Sequence, residues 1–323
     1  MNPSYRVEVN GQNITPSISG RLINLSLTDE RRDNADQLEI TLDDTDGLLY
    51  IPPQAAKIKL WLGFDDNLIF KGVFTVDETE HSGPPDQLTI RARSASFKGT
   101  LNQKREQSWH FITLGDMLRT MAKRNGLDPV IHPTLDGFFV AHLDQTNESD
   151  LNFISRLATL HDAVSNVKAD KLIFSPAGNK TSASGTPLSH VTINRSAGDG
   201  HRYSETDRAS DYTGVQANWN NTSTGEQLQE TAGGKTKLKV LRHTYATQKE
   251  AQTAAQAEWR KIQRAGKKLQ LDLAVAQPEL YPELPVSAIG YKPQIDRLSW
   301  IIEHVEHQLN ESGYKMVLQM ESE

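Results

Sequence analysis

Short segments in which apolar and polar residues alternate dominate the first hundred residues. In one of them Leu38, Ile40 and Leu42 are separated by polar side chains. A period of two places every second side chain on one face, which is the pattern of a half-buried β-strand. Five segments follow this pattern: 21–28, 37–43, 57–64, 70–77 and 87–93. Short strands at such close spacing predict a small β-barrel.

Near residue 108 the apolar spacing changes from strand-like to helical. Thr113 and Asp116 form a start resembling a capping box, and the apolar residues that follow lie at i, i+3, i+4 and i+7: Leu114, Met117, Leu118 and Met121. A second helix is predicted over about 148–164. A third begins at Thr247, where Glu250 completes the T-x-x-E pattern.

The fold class predicted from these segments is α+β, mainly β, with two similar small β-barrel domains and inserted α/β segments. A chain of 323 residues exceeds one ordinary core of roughly 100–150 residues, so more than one domain is expected. We predict a first β-barrel domain at 1–105 and an α/β domain with two helices at 106–178. A second β-barrel domain at 179–323 contains an inserted helix near 248–264.

An internal repeat supports the two barrels. Residues 74–81, from Phe74 to His81, align with residues 300–307, from Trp300 to His307, so that aromatic meets aromatic and histidine meets histidine. A turn and a final strand follow in each copy. Hairpin turn preferences alone can also produce such a match. If the repeat is real, three chains around a threefold axis present six similar modules to a sixfold partner.

The composition excludes several classes of protein. There is no cysteine, which removes disulfides, thiol catalysis and thiolate metal sites. The formal charge of −6 is spread along the chain with no basic block, so no nucleic-acid recognition is expected. No apolar run reaches the ~20 residues of a membrane span. The N-terminus lacks the basic and apolar regions of a secretory signal, so we expect synthesis and folding in a cytoplasm.

Motifs for phosphate or calcium binding fail on spacing. Residues 233–236, Gly-Gly-Lys-Thr, resemble the end of a phosphate-binding loop, but the first required glycine falls at Gln229. Asp44, Asp46 and Gly47 resemble a calcium loop, but its first and last ligands fall at 42 and 53, which are Leu and Pro. A flexible loop and a β-turn are the favoured interpretations.

Catalytic patterns are equally weak. His304 and His307 lie on opposite faces of a strand, and His81 and His307 are interpreted as strand-end residues beside a turn. The acid pairs Asp77-Glu78 and Glu303/Glu306 cannot be placed at hydrolytic separation from sequence. There is no G-x-S-x-G motif. Five dispersed tryptophans are interpreted as core or interface anchors: Trp61, Trp109, Trp219, Trp259 and Trp300. We therefore predict no catalytic, cofactor-binding or metal residues.

Taken together in order and spacing, several stretches resemble the phage late control gene D proteins, which are baseplate hub proteins of contractile tails. The resemblance covers nearly the whole chain. Its strongest stretches are 38–47, 74–86, 108–116, 145–158, 259–262, 278–282 and 300–307. It implies a homotrimeric hub of two barrels with α/β elaborations, similar to the N-terminal half of type VI secretion spike proteins. Some relatives carry a fused lysozyme or needle domain, for which this sequence leaves no room before Glu323.

The resulting hypothesis is a non-enzymatic hub in the virion tail baseplate of a phage or a phage-tail-like particle. Its trimeric ring would adapt the sixfold tail tube to the threefold central spike. The expected partners are the spike protein, the tube protein, the tape-measure protein and other baseplate proteins, and no cofactor is expected. Two alternatives stay open: a tail-tip receptor- or carbohydrate-binding module, and a tail-associated peptidoglycan hydrolase.

Overall fold

A computed structural model describes residues 1–31, 35–94, 100–168, 170–206, 211–221 and 223–323. The strands are β1 Pro3–Val9, β2 Gln12–Asn13, β3 Leu22–Glu30, β4 Gln37–Asp43, β5 Lys57–Phe64, β6 Asn67–Ser82, β7 Gln87–Arg93, β8 Lys104–Thr113, β9 Asp128–Ile131, β10 Phe139–Ser149, β11 Ala163–Lys168, β12 Lys171–Pro176, β13 Val191–Asn194, β14 Gly198–Glu205, β15 Gly214–Asn220, β16 Gln227–Gly233, β17 Leu238–Tyr245, β18 Lys267–Leu273, β19 Pro285–Ile289, β20 Ser299–Asn310 and β21 Gly313–Ser322. The helices are α1 Thr15–Ile18, α2 Leu114–Arg124, α3 Pro133–Asp136, α4 Asp150–His161, α5 Gln248–Arg264 and α6 Pro293–Asp296.

Two groups of strands have the same order in the main sheet. The first group, called repeat A, runs β3-β4-β7-β6-β5-β1. The second, called repeat B, runs β14-β18-β21-β20-β19-β13. Chain order matches as well, because each strand of repeat A has its counterpart at the same step of repeat B. The predicted α+β, mainly β fold with two similar β-units is confirmed.

The two repeats also share their register. One row of paired residues in repeat A runs Leu27, Leu38, Ala92, Val76, and the same row in repeat B runs Tyr203, Leu269, Met320, Ile302. The register shifts also correspond. The shift between Leu22 and Asn24 in repeat A matches the one between Gly198 and Gly200 in repeat B. Likewise, the shift between Val76 and Glu78 in repeat A matches the one between Ile302 and His304 in repeat B. Because β-bulges re-aim every residue beyond them, matching bulges indicate a duplicated unit instead of two similar hairpins.

The repeats differ at one end. Strand β1 pairs antiparallel with β5, whereas β13 pairs parallel with β19. Their interiors nevertheless form a single apolar cluster, in which Phe74 and its counterpart Trp300 are both fully buried. Alternating residues of β4 and β18 supply this cluster, and full burial of each such Leu or Ile stabilises the fold by roughly 1.5–3 kcal/mol. The alternation in the sequence is therefore the direct cause of the sheet.

Residues between the repeats form a separate α/β unit with its own apolar cluster. Strands β9, β12 and β11 form a small sheet, and β8 pairs with β10. Helix α2 starts where the Thr113 side chain accepts a hydrogen bond from Asp116 N, as the capping pattern predicted. Helix α4 is shorter than predicted, because Asp162 adopts a left-handed conformation that ends it. Val164, expected on that helix, lies in β11.

A further apolar cluster was not predicted. Strands β16, β15 and β17 form a three-stranded sheet that α5 covers, and this unit is inserted between β14 and β18 of repeat B. The Thr247 cap at the start of α5 is present. The sequence indicated isolated strands here because the segment is polar. The three predicted domain ranges remain a prediction.

Candidate functional site

The acidic turn at 43–47 is closed by its own hydrogen bonds. Gly47 N donates to Asp44 O at 2.8 Å, with Gly47 at a φ of +66°. The Asp44 carboxylate accepts from Leu49 N and lies 3.2 Å from Nε2 of His81, while Asp46 pairs with Arg21. These carboxylates stabilise the turn. Within the described ranges, no group of three or more His, Asp or Glu side chains is arranged to hold a metal ion.

The Gly-Gly-Lys-Thr segment is a packing joint. A Cβ on Gly233 would lie 2.7 Å from the Trp259 indole, so glycine lets α5 approach the end of β16. Gly234 N donates to Thr213 O at 2.6 Å, and the Thr236 and Thr213 hydroxyls lie 2.9 Å apart. A phosphate-binding loop needs free backbone amides. The amide of Gly234 is instead bonded to the carbonyl of Thr213.

The histidines of β20 have separate environments. His304 Nδ1 lies 3.0 Å from the Glu30 carboxylate across the junction with β3. His307 is fully buried and its Nδ1 lies 2.8 Å from the Tyr314 hydroxyl. His307 lies three residues before the end of β20, near the turn to β21, and its burial was not predicted from the sequence. Burial, together with nearby Lys71, lowers the pKa of His307 well below its usual value.

The acids singled out in the repeat are bulge residues. Asp77 and Glu303 occupy the bulges of β6 and β20. Asp77 pairs with Arg93 at 2.9 Å, and Glu303 pairs with Lys268 at 3.2 Å. Neighbouring Glu78 pairs with a different arginine. The carboxylates of Asp77, Glu78 and Glu303 are therefore engaged by basic side chains of nearby strands.

The tryptophans are anchors, as their dispersal indicated. The Trp300 indole donates to Ile295 O at 3.2 Å inside the repeat B core. Trp109 and Trp300 are buried, whereas Trp61, Trp219 and Trp259 are partly buried.

A groove of about 470 Å³ lies beside the end of α5. Its charged side chains are already engaged: Lys180 pairs with Glu323 at 2.7 Å, Arg260 lies 3.6 Å from Asp162, and Arg264 pairs with that aspartate. The charged side chains of the groove are therefore held in ion pairs and are not arranged as a nucleophile with its base.

A buried charge cluster joins distant parts of the chain. Arg31, which follows β3 and is 3% exposed, pairs with Glu283 and Glu321 and lies 3.8 Å from Glu303. Burial opposes ionisation of the Arg31 guanidinium, but the surrounding carboxylates outweigh it and raise its pKa. This cluster fixes the end of β3 in repeat A to β20 and β21 in repeat B.

Arg264 extends the cluster to the inserted units. It lies at the end of α5 and pairs with Asp162, the residue that ends α4, and with Glu321 at 3.1 Å. Burial opposes ionisation of Glu321, but the two arginines prevail and lower its pKa. Burial and the neighbouring Glu321 raise the pKa of Glu303. Breaking such a buried network leaves uncompensated charge, so it holds the α/β unit, α5 and both repeats together.

The junction between the repeats is a strand pairing. The first residues of β20 pair with β19, and residues 304–310 pair on that same side with β3, from His304 with Glu30 to Asn310 with Asn24. In repeat A, β6 pairs with β5 up to Thr75 and with β7 beyond it. Among the described residues, no strand covers the outer edge of β6 from Glu78 onward, which is the counterpart of the edge that β3 covers.

Within the part of the chain that the structure describes, the counterpart of β3 is also uncovered. Strand β14 pairs with β18 on one side and is the end strand of the main sheet. Exposure differs accordingly: His81 is 40% exposed and His307 is fully buried, and His201 is exposed where its counterpart Leu25 is buried. Exposed edge strands are sites where another chain can add a strand.

The fold therefore combines a duplicated β-unit, single-copy insertions and, among the described residues, two uncovered edges that can each receive a strand from another chain. Comparisons with known proteins identify the family of the chain. The family model for the phage tail baseplate hub (GPD) matches residues 38–313. The chain is 40% identical to the probable baseplate hub protein of Escherichia phage 186, covering 99% of this chain and 92% of that protein. It therefore belongs to the phage tail baseplate hub family, whose place is the virion tail baseplate.

Solved structures show the same fold. The 43 kDa tail protein of prophage MuSo2 from Shewanella oneidensis matches with a TM-score of 0.72 at 12% identity, covering 99% of this chain and 98% of that one. The E. coli c3393 protein, a type VI secretion component described as similar to T4 tail proteins gp27 and gp5, matches with a TM-score of 0.56 at 12% identity, covering all of this chain and 77% of that one. The expected likeness to type VI proteins is confirmed at the level of fold.

Among the described residues, no helix is long and apolar enough to cross a membrane.

Proposed function

We propose that the chain forms a homotrimeric ring that adapts the sixfold tail tube to the threefold central spike. The observation that carries this proposal is the shared register of repeats A and B, including both bulges. A feature present in both repeats occurs six times in a trimer, and a feature present once occurs three times. One ring can thereby meet partners of either symmetry.

The tube-facing contact is assigned to features that occur in both repeats. The loop between β4 and β5 and the corresponding loop between β18 and β19 end alike: Ala55 and Glu283 both have positive φ, and both donate their N–H to the counterpart residues Val76 and Ile302. Each loop also exposes a tyrosine. Tyr50 is 83% exposed and Tyr281 is 43% exposed. Tyrosine is favoured at interfaces, so six such side chains suit a sixfold tube ring.

The spike-facing contact is assigned to a feature that occurs once. The antiparallel pair of β8 and β10 exposes Phe111 and Phe139, whose ring centroids lie 6.5 Å apart. This pair is presented three times in a trimer and suits a threefold spike. The lumen of the ring would hold the tape-measure protein, and the remaining outer surface would contact other baseplate proteins.

Native mass spectrometry tests the assembly. The chain is co-expressed with its spike protein, because trimerisation can depend on the spike. A species holding three copies of the 36.1 kDa chain supports the proposal. A complex that contains one or two copies per spike trimer contradicts it.

The proposal also assigns no substrate turnover to this chain. A zymogram with peptidoglycan tests this, with lysozyme as the positive control. We expect no clearing zone, and a zone that disappears on changing an acid to its amide would contradict the assignment.

A further inference from the structure

We infer that neighbouring protomers join by pairing the outer edge of β6, from Glu78 to Ser82, with β14 of the next copy, in the register that β20 and β3 use inside the chain. This inference rests on the proposed trimer and adds the contact that closes it. The partner is a second copy of this chain, because the intrachain junction already shows how one repeat receives the other.

The register follows from the counterparts. Inside the chain, Glu306 pairs with Thr28 and His307 with Leu27. Repeat A has Glu80 and His81 at the positions of Glu306 and His307, and repeat B has Ser204 and Tyr203 at the positions of Thr28 and Leu27. The interprotomer pairs are therefore Glu80 with the neighbouring copy's Ser204, and His81 with the neighbouring copy's Tyr203.

The junction is head-to-tail. Each repeat offers one edge of the β6/β20 kind and one of the β3/β14 kind, so repeats A and B alternate around a ring in one direction. A heterologous contact of this type closes when its rotation divides the circle. Closure leaves neither edge uncovered, which removes the aggregation hazard of an open sheet.

One pair of opposite charges meets across the inferred junction. Beside the β6 edge, Arg91 contacts three carboxylates, those of Glu39, Glu78 and Glu80, at 2.8 to 3.1 Å, so this patch has an excess of negative charge. On β14, Arg202 is exposed. In the inferred register Arg202 of one copy lies diagonally across from Glu80 of the next, on the same face, where opposite charges attract.

Cysteine cross-linking tests the register, since the chain has no cysteine of its own. The variant Glu80→Cys/Ser204→Cys places two thiols at paired positions, within the 4.4–6.8 Å Cα separation that a disulfide requires. We expect mild oxidation of the trimer with spike to yield a covalent band of three chains under non-reducing conditions. The variant Glu306→Cys/Thr28→Cys is the matched control at the intrachain junction, and it should close within one chain.

The variant Glu78→Cys/Arg202→Cys controls for register. In the inferred pairing its two positions are about 13 Å apart along the strands, and it should stay uncross-linked. Hydrogen exchange on the unmodified chain gives a second readout: within residues 78–82 and 202–206, the amides that are not already bonded to β7, β18 or another part of the chain should slow at least tenfold on assembly.

The outcomes separate this inference from the proposed function. A trimer by native mass spectrometry in which the Glu80/Ser204 pair stays reduced, while the Glu306/Thr28 control closes, overturns the inferred register and leaves the trimer intact. Cross-linking of the Glu78/Arg202 pair overturns it as well. Absence of any trimer with the spike overturns both.

Discussion

Repeats A and B have the same strand order, register and bulges, yet corresponding residues differ sharply in exposure. Val305, His307 and Leu309 of β20 are buried where β20 pairs with β3, while Thr79 and His81 of β6 have no strand pairing with that edge among the described residues. Two copies of one backbone thus show the same edge covered and uncovered. Because a strand of the other repeat pairs with the covered edge, we expect the uncovered edge to receive a strand as well.

Residue types follow this difference. Where β3 has Leu25 and Leu27, β14 has His201 and Tyr203, and where β20 has Val305, β6 has Thr79. Polar side chains on an exposed edge discourage unwanted pairing before assembly. The uncovered edges of β6 and β14 have the same backbone register as the covered junction, but more polar residues stand where the junction has apolar ones. The comparison therefore distinguishes a permanent intrachain junction from one that forms on assembly.

The largest expected effect comes from breaking the permanent junction at its buried charge. Arg31→Met removes the partner of Glu283 and Glu321, and we expect it to lower the free energy of unfolding by about 3–5 kcal/mol. Arg93→Met is the control: Arg93 is 53% exposed and pairs with Asp77, so its loss should cost at most about 1 kcal/mol. Urea denaturation measures both. Equal effects would show that the cluster does not fasten the repeats together.

A second test places one charge at counterpart positions. Val305→Asp puts a carboxylate into the covered edge and should cost at least about 3 kcal/mol of stability. Thr79→Asp puts it on the uncovered edge, where it should change the stability of the isolated chain by less than about 0.5 kcal/mol. The same Thr79 variant should lose the trimer in native mass spectrometry. A destabilised Thr79→Asp monomer would mean that this edge is already covered within the chain.

The pH dependence of stability reports on the buried histidine of the covered edge, His307. Because the folded-state pKa of His307 lies well below 6.5, below pH 6.5 the unfolded chain binds a proton that the folded chain does not. The free energy of unfolding should therefore fall as pH falls below 6.5, by up to about 1.4 kcal/mol per pH unit from this group. Burial also lowers the pKa of His161, to about 4, which adds a slope of the same sign.

Variants isolate the His307 part of this slope. His307→Leu and His161→Leu should each show a shallower dependence between pH 6.5 and 5 than the unmodified chain, because each removes one ring whose pKa is lowered by burial. Thermal unfolding at a series of pH values measures both. An unchanged slope in His307→Leu would mean that the buried ring is not the group that binds the proton on unfolding.

Local sequence patterns predicted much of this fold. The alternation around Leu38 and Leu269 gave the strands, because each face of those strands meets either the core or water. Thr113 and Thr247 marked helix starts, because a side-chain cap needs only residues three apart. The match of Phe74 with Trp300 revealed the duplication, since both positions fill equivalent core space.

Long-range features had no local signal. Arg31 and Glu321 are 290 residues apart, so their pairing could not be recognised without the fold. The counterpart strands β3 and β14 were missed because covered and uncovered edges select different residues, as Leu27 and Tyr203 show. The β15–β17 sheet with α5 interrupts repeat B between β14 and β18, which concealed the equivalence further. The burial of His307 was not predicted, because the sequence gives no sign that β20 pairs with β3 at that position.

The smallest expected effects distinguish duplicated surface features from single-copy ones. Tyr50→Ser with Tyr281→Ser should leave folding intact, since both side chains are exposed, and should weaken binding to the tail tube about tenfold. Phe111→Ser should leave tube binding unchanged and weaken binding to the spike instead, because the β8 and β10 strand pair occurs once per chain. Biolayer interferometry with immobilised tube or spike protein measures the affinity of each variant for each partner. If Phe111→Ser weakened tube binding and the tyrosine variant did not, the threefold and sixfold faces would be the reverse of those proposed, while the duplication itself would stand.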